Sequence, residues 1–283
     1  MLISFPAWAM QATVFSAQSK KDHSKAGDTM LNKEGYIAVF DSGIGGISVL
    51  RELIKQMPQE RYLYYGDSAN APYGKRTTEE VRQLTMAAAE TLMQRNIKAL
   101  VVACNTATSA AITQLRSTYP DKIIVGIEPA LKLAADRFPN GRIGVMATPV
   151  TLREEKFLQQ VERFSHVQTE AISAPMLAEW IEAGRRDGPQ TEELLKPILQ
   201  PYENKLDAVV LGCTHYPFVA KTISKLLGSK TVVLDGGEGT ARETHRRLEE
   251  AGLLWDGPGS VQMENSADDP RFLVYGMELL EEA

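Results

Sequence analysis

Apolar positions in this chain gather into short β-branched runs: YIAVF, RYLYY, KALVVA, KIIVGI, RIGVMA, DAVVLG and KTVVL, the first at Tyr36 and the last ending at Leu234. Consecutive apolar positions closed by small or turn residues mark strands buried on both faces. Between them lie helical patterns. EEVRQLTMAAAETLMQR follows Thr77 and Thr78, and LREEKFLQQVERF follows Thr151, so both have an N-cap candidate and early acidic residues suited to the positive helix end. Strand and helix in alternation predict an α/β fold of mostly parallel sheets flanked by crossover helices.

The pattern also repeats. KALVVACNT, residues 98–106, aligns without a gap on DAVVLGCTH, residues 207–215, and places Cys104 and Cys213 at equivalent positions. YIAVFDSGIGGISVLRE, starting at Tyr36, matches RIGVMATPVTLRE, starting at Arg142, in its strand and its closing Leu-Arg-Glu. Two diverged α/β halves facing each other account for both matches. Ligands of open parallel sheets bind beyond the carboxyl ends of the strands, so the site is expected between the halves. The expected division is an N-terminal extension over 1–33, a first domain over 34–129 with 236–283 returning to it, and a second domain over 130–235.

Composition narrows the function classes. At 283 residues, 43% hydrophobic and 24% charged, the chain is long enough for well-buried cores. A net charge of −5 leaves no basic field for phosphate backbones, which argues against nucleic acid as a primary partner. Two cysteines make no disulfide framework, and neither has a second Cys or a His at zinc-ligand spacing, so reduced thiols in the cytoplasm are expected. The N-terminal MLISFPAWAMQATVFSAQ lacks a basic n-region and is interrupted by Pro6 and Gln11. It reads as an appendage rather than a targeting segment, and it is too short to span a bilayer, so no membrane partner is expected.

FDSGIGG, residues 40–46, follows a strand with Asp41, Ser42 and glycines that permit a tight turn, but it does not match the dinucleotide fingerprint. GDSANAPYGKRT, residues 66–77, ends in Gly-Lys-Arg where a P-loop needs Gly-Lys-Ser or Gly-Lys-Thr, so ATP is not indicated. A single buried cysteine is ordinarily a small core hydrophobe. Here both stand where a strand is expected to give way to a helix, and hydrogen-bonding neighbours follow: Asn105 and Thr106 in one copy, Thr214 and His215 in the other. Two thiols on opposite sides of a substrate suit a reaction that removes a proton from one face of a carbon and returns one to the other. With an ordinary pKa of about 8.5, a thiol serves as base or acid.

FDSGIGG, YYGDSANAPYG, VVACNTAT and VVLGCTHYPFV occur in that order, and from Tyr36 onward the chain resembles the cofactor-independent glutamate racemases of the aspartate/glutamate racemase superfamily. The resemblance implies two pseudo-twofold-related α/β domains with the active site at their interface, no pyridoxal phosphate, no metal, and interconversion of L- and D-glutamate for peptidoglycan. It implies Cys213 as the base toward L-glutamate and Cys104 toward D-glutamate, with Asp41 assisting Cys104 and His215 assisting Cys213. Asp41, Ser42, Pro72, Tyr73, Gly74, Cys104, Asn105, Thr106, Cys213, Thr214 and His215 fall where the family holds substrate, and Glu182 where relatives carry a glutamate near the site. The chain departs from the commoner pattern at Ala174, where many relatives have cysteine, and at Glu179, where many have proline. A small-molecule effector and a homodimer stay open at this level. The rivals are a racemase or decarboxylase of the superfamily acting on aspartate, a hydantoin or a malonate, and a non-catalytic amino-acid binding protein. Retention of both cysteines with Asp41 and His215 argues against the last, because binding alone needs neither acid nor base.

Overall fold

The structure is a computed structural model and describes residues 10–12, 32–127, 130–186 and 188–281. In chain order the first half holds β1 (Met10–Ala12), β2 (Tyr36–Asp41), α1 (Ile47–Gln56), β3 (Arg61–Gly66), α2 (Thr78–Met93), β4 (Ile97–Val102), α3 (Asn105–Thr118) and β5 (Ile123–Gly126). There follow α4 (Leu131–Arg137), β6 (Arg142–Ala147), α5 (Glu155–Arg163), β7 (Gln168–Ser173), α6 (Leu177–Glu182), α7 (Pro189–Leu199), β8 (Ala208–Leu211), α8 (Ala220–Leu227) and β9 (Val232–Asp235). The chain ends in α9 (Gly237–Glu250), β10 (Ser260–Asn265) and α10 (Pro270–Glu281). The expected N-terminal appendage lies mostly outside the described residues, as does Pro129, the last residue of the expected first-domain segment 34–129.

Two all-parallel sheets form, ordered β1-β10-β3-β2-β4-β5 and β7-β6-β8-β9. The run β3-β2-β4-β5 has the same order as β7-β6-β8-β9, so the sequence repeat is a repeat of architecture. β10 extends the first sheet, and α9 packs on α1. The seven apolar runs become β2, β3, β4, β5, β6, β8 and β9. Alternate residues serve opposite layers: Ile37, Val39 and Val101 face one apolar cluster, while Ala38, Phe40, Leu100 and Val102 face the other. The second sheet does the same with Val209 and Leu211 against Ala208 and Val210. Each fully buried aliphatic side chain in these layers contributes about 1.5–3 kcal/mol.

α2 starts as expected. Thr77 Oγ1 accepts from Glu80 N at 3.3 Å and Glu80 Oε2 accepts from Thr77 N at 2.8 Å, a reciprocal cap. The second expected helix start is corrected. Thr151 opens a 3-10 turn over Thr151–Arg153 and α5 begins only at Glu155, because Thr148 Oγ1 accepts the Thr151 N–H at 3.3 Å and forms a turn of its own.

Candidate active site

The carboxyl ends of β2, β4 and β8 face a cavity of about 290 Å³ lined by both lobes, near the lower end for small-molecule sites. Ser42, Pro72, Tyr73, Gly74, Cys104, Asn105, Thr106, Glu182, Cys213, Thr214 and His215 all line it. Asp41 does not line it. It ends β2 fully buried behind the cavity wall.

Cys104 is the N-cap of α3, and its Sγ accepts from Ala107 N at 3.4 Å and lies 3.4 Å from Ser42 Oγ. Burial, then the nearby Asp41 carboxylate, pushes the Cys104 thiol up to about 12, against the hydrogen bonds from Ser42 and Ala107. The helix end therefore does not make this sulfur an anion in the ligand-free protein. Asp41 bonds elsewhere: Oδ2 accepts from Gly43 N at 3.0 Å and Oδ1 from Thr214 Oγ1 at 3.1 Å. Burial raises its carboxyl above the usual range, while His215 and the Gly43 and Thr214 donors oppose that shift. Beside these groups, Asn105 Oδ1 is buried without a hydrogen-bond partner among the described residues. A buried orphan acceptor is costly, and a cationic donor in the cavity would satisfy it.

The second cysteine is not at a helix start, which corrects the expected equivalence. After β8 the chain passes through Cys213, a 3-10 turn over Tyr216–Val219, and only then α8. In place of a helix end, Cys213 Sγ has an imidazole: His215 Nδ1 lies 3.7 Å away. His215 Nε2 in turn lies 2.7 Å from Glu182 Oε1. Burial alone would favour the neutral ring, but the bonds to Cys213 and Glu182 outweigh it and raise the His215 pKa well above 6.5. The result is a Cys213–His215–Glu182 chain whose hydrogen bonds favour the charged form of the imidazole.

The FDSGIGG glycines bring the lobes this close. A Cβ on Gly43 would sit 2.0 Å from Glu182 Oε1, and one on Gly45 would sit 2.4 Å from His215 Nδ1. The same loop bonds across the interface, with Ile44 N donating to Glu182 Oε1 at 2.9 Å and Ser48 Oγ to Thr214 O at 2.8 Å. Pro72 follows a cis peptide, and the Tyr73 hydroxyl donates to Asp67 Oδ2 at 2.7 Å, which leaves its ring against the cavity.

Sequence reasoning missed several lining residues, among them Thr148, Lys75, Met176 and Phe272. Thr148 had a signal: it follows β6 as Ser42 follows β2, at matching places in the repeat. Phe272, on α10, had none. Among the described residues no cluster of His, Cys, Asp and Glu is arranged to hold a metal ion, and no helix is long and apolar enough to cross a membrane.

A profile of the Asp/Glu/hydantoin racemase family matches residues 42–244. A glutamate racemase of Clostridium botulinum is 48% identical over 257 residues, covering 89% of this chain and 99% of its own. Among solved structures, a glutamate racemase isoform of Bacillus anthracis superposes with a TM-score of 0.81 at 32% identity, over 88% of this chain and 95% of that one. The Escherichia coli glutamate racemase, solved in complex with L-glutamate and the activator UDP-MurNAc-ala, gives 0.74 at 30% identity, over 87% and 92%. With sequence, fold and site in agreement, the chain belongs to the Asp/Glu/hydantoin racemase family and is an amino-acid racemase, an isomerase.

Proposed function

We propose that the protein interconverts L- and D-glutamate by two-thiol proton transfer in the cytoplasm, supplying D-glutamate for peptidoglycan. The observation that carries this reading is that Cys104 and Cys213, contributed by different lobes, line one cavity. In the L-to-D direction the α-proton passes to Cys213 as its C–H bond breaks, and the Cys104 thiol gives its proton to the opposite face of the carbanion. The product leaves Cys213 protonated and Cys104 as thiolate, ready for the reverse direction. A Cys104 thiol held at about 12 is protonated at neutral pH, as the acid of the first direction must be. His215, its charged form favoured beside Cys213, suits the sulfur that must begin as base.

The α-hydrogen is a very weak acid, so donors around the substrate carboxylate and exclusion of water must lower the barrier. Ser42, Thr106 and Thr214 line the cavity as hydroxyl donors, and Asn105 Oδ1 is an acceptor for the ammonium. Asp41 reaches the site through Thr214, the residue after Cys213, so its support is shared between the thiols. We take the catalytic lobes as 34–129 with 236–283, and 130–235. The test is circular dichroism of D-glutamate incubated with purified protein and no added cofactor. Ellipticity should decay to zero, and Cys104→Ala or Cys213→Ala should each abolish the decay from either enantiomer. Near-wild-type decay in either variant would remove that thiol from the mechanism, and no decay with the unmodified protein would remove glutamate as substrate.

A further inference from the structure

The short helix α6 belongs by sequence to the second lobe, yet several of its polar groups are spent on the first. Glu179 Oε1 pairs with Lys75 Nζ at 2.7 Å, and both residues line the cavity. Glu182 Oε1 accepts from Ile44 N at 2.9 Å. The Tyr275 hydroxyl on α10 donates to Ile181 O at 3.1 Å, and the Arg186 guanidinium lies 5.2 Å from the Tyr275 ring centre. Three contacts of α6, with that of Arg186 just beyond it, thus reach three separate parts of the first lobe.

The ends of this stretch have backbone conformations that side chains disfavour. Met176 precedes α6 at φ +64° with its side chain 62% exposed, and Gly184 follows at φ +78°. A non-glycine residue held in the left-handed region without packing around it stores strain, which the contacts of its neighbours must offset. Hinges are commonly a few such positions at the ends of an element.

We infer that Met176–Gly184 is a strap that closes the cavity by fastening the second lobe to the first, with the Lys75–Glu179 pair as its outermost clasp. This rests on the racemase reading for its purpose, since a substrate must enter and leave past the clasp. Because Glu182 rides on the strap, cavity closure and the Glu182–His215 contact are carried by one segment.

Hydrogen exchange of the full-length, ligand-free chain, read by mass spectrometry, reports the strap directly through the amides of Trp180, Ala183 and Gly184, each bonded within it. Lys75→Gln and Glu179→Gln should each speed their exchange about two- to fivefold, the range a solvent-exposed ion pair supports. The β8 amides should stay unchanged. Combining Lys75→Glu with Glu179→Lys should restore slow exchange, and Tyr275→Phe, outside the cavity lining, should speed it as the single charge removals do. Unchanged strap exchange in all three single variants overturns the proposal, as does an acceleration the reversed pair leaves uncorrected. Exchange without substrate is independent of the reaction: a failed strap leaves the racemase standing, and absent racemisation by the unmodified protein leaves the strap standing.

Discussion

The sharpest prediction concerns the protonation of Cys104. The side chain is almost wholly buried, Asp41 stands behind it, and two hydrogen bonds to sulfur do not offset the loss of water, so its pKa lies at about 12. At pH 8 a thiol of that pKa is ionised in roughly one molecule in ten thousand, against about a quarter for an unperturbed thiol. The more basic thiolate is the better nucleophile, and a Brønsted slope of about 0.4–0.5 returns roughly 25- to 55-fold of that deficit. Alkylation at pH 8 should therefore run about 40- to 100-fold slower than for an ordinary cysteine, before any steric hindrance. Steric hindrance scales the rate without changing its pH dependence, so the profile is the cleaner readout. In a Cys213→Ser variant, iodoacetamide incorporation at Cys104, followed by peptide mass spectrometry, should rise about tenfold per pH unit from about pH 7 to about pH 10. Levelling near the ordinary value of about 8.5 would show that burial does not control this thiol. That result would remove the physical basis for Cys104 as the resting acid.

Gly43→Ala should displace the Glu182 carboxylate from His215, because the new Cβ would lie 2.0 Å from Glu182 Oε1. A misplacement of about 1 Å commonly costs about a hundredfold in rate, and unchanged steady-state kinetics in either direction would refute that packing. Lys98 and Glu60 form an ion pair at 2.6 Å with both side chains nearly inaccessible, Lys98 also donating to Leu253 O at 2.9 Å. Lys98→Ala should destabilise the fold by about 3–5 kcal/mol in urea denaturation, and a loss below about 1 kcal/mol, the level of an exposed pair, would contradict the burial. His215 has a folded-state pKa above its unfolded value, so its stabilisation is fully present below about pH 6.5 and is lost as pH rises through the folded value. The melting-temperature deficit of His215→Asn should thus be larger at about pH 6 than in the alkaline range, and a deficit that grows with pH would reverse the assigned sign.

The sequence determined the layered α/β plan because buried parallel strands must be apolar on both faces, and such runs stand out in any chain. Seven strands were legible on that ground. β7 was not: its residues QTEAIS are largely exposed at the sheet edge, so burial imposed no apolar run on them. The repeated VVACNT and VLGCTH stretches likewise disclosed two sulfurs at matching places, since each comes two residues after its strand and the strand fixes its position. The surroundings of each sulfur were decided in three dimensions. Cys104 caps a helix while Cys213 is followed by a 3-10 turn, and the similarity of the two stretches conceals that difference. Glu182 beside His215, Thr214 on Asp41, and Glu179 on Lys75 join residues far apart in the chain. None of these pairings leaves a periodic trace, because a hydrogen bond or ion pair needs only a few ångströms between two atoms. That distance is set by how the two lobes pack, through glycines at 43 and 45 whose missing side chains let the loop and the second lobe touch.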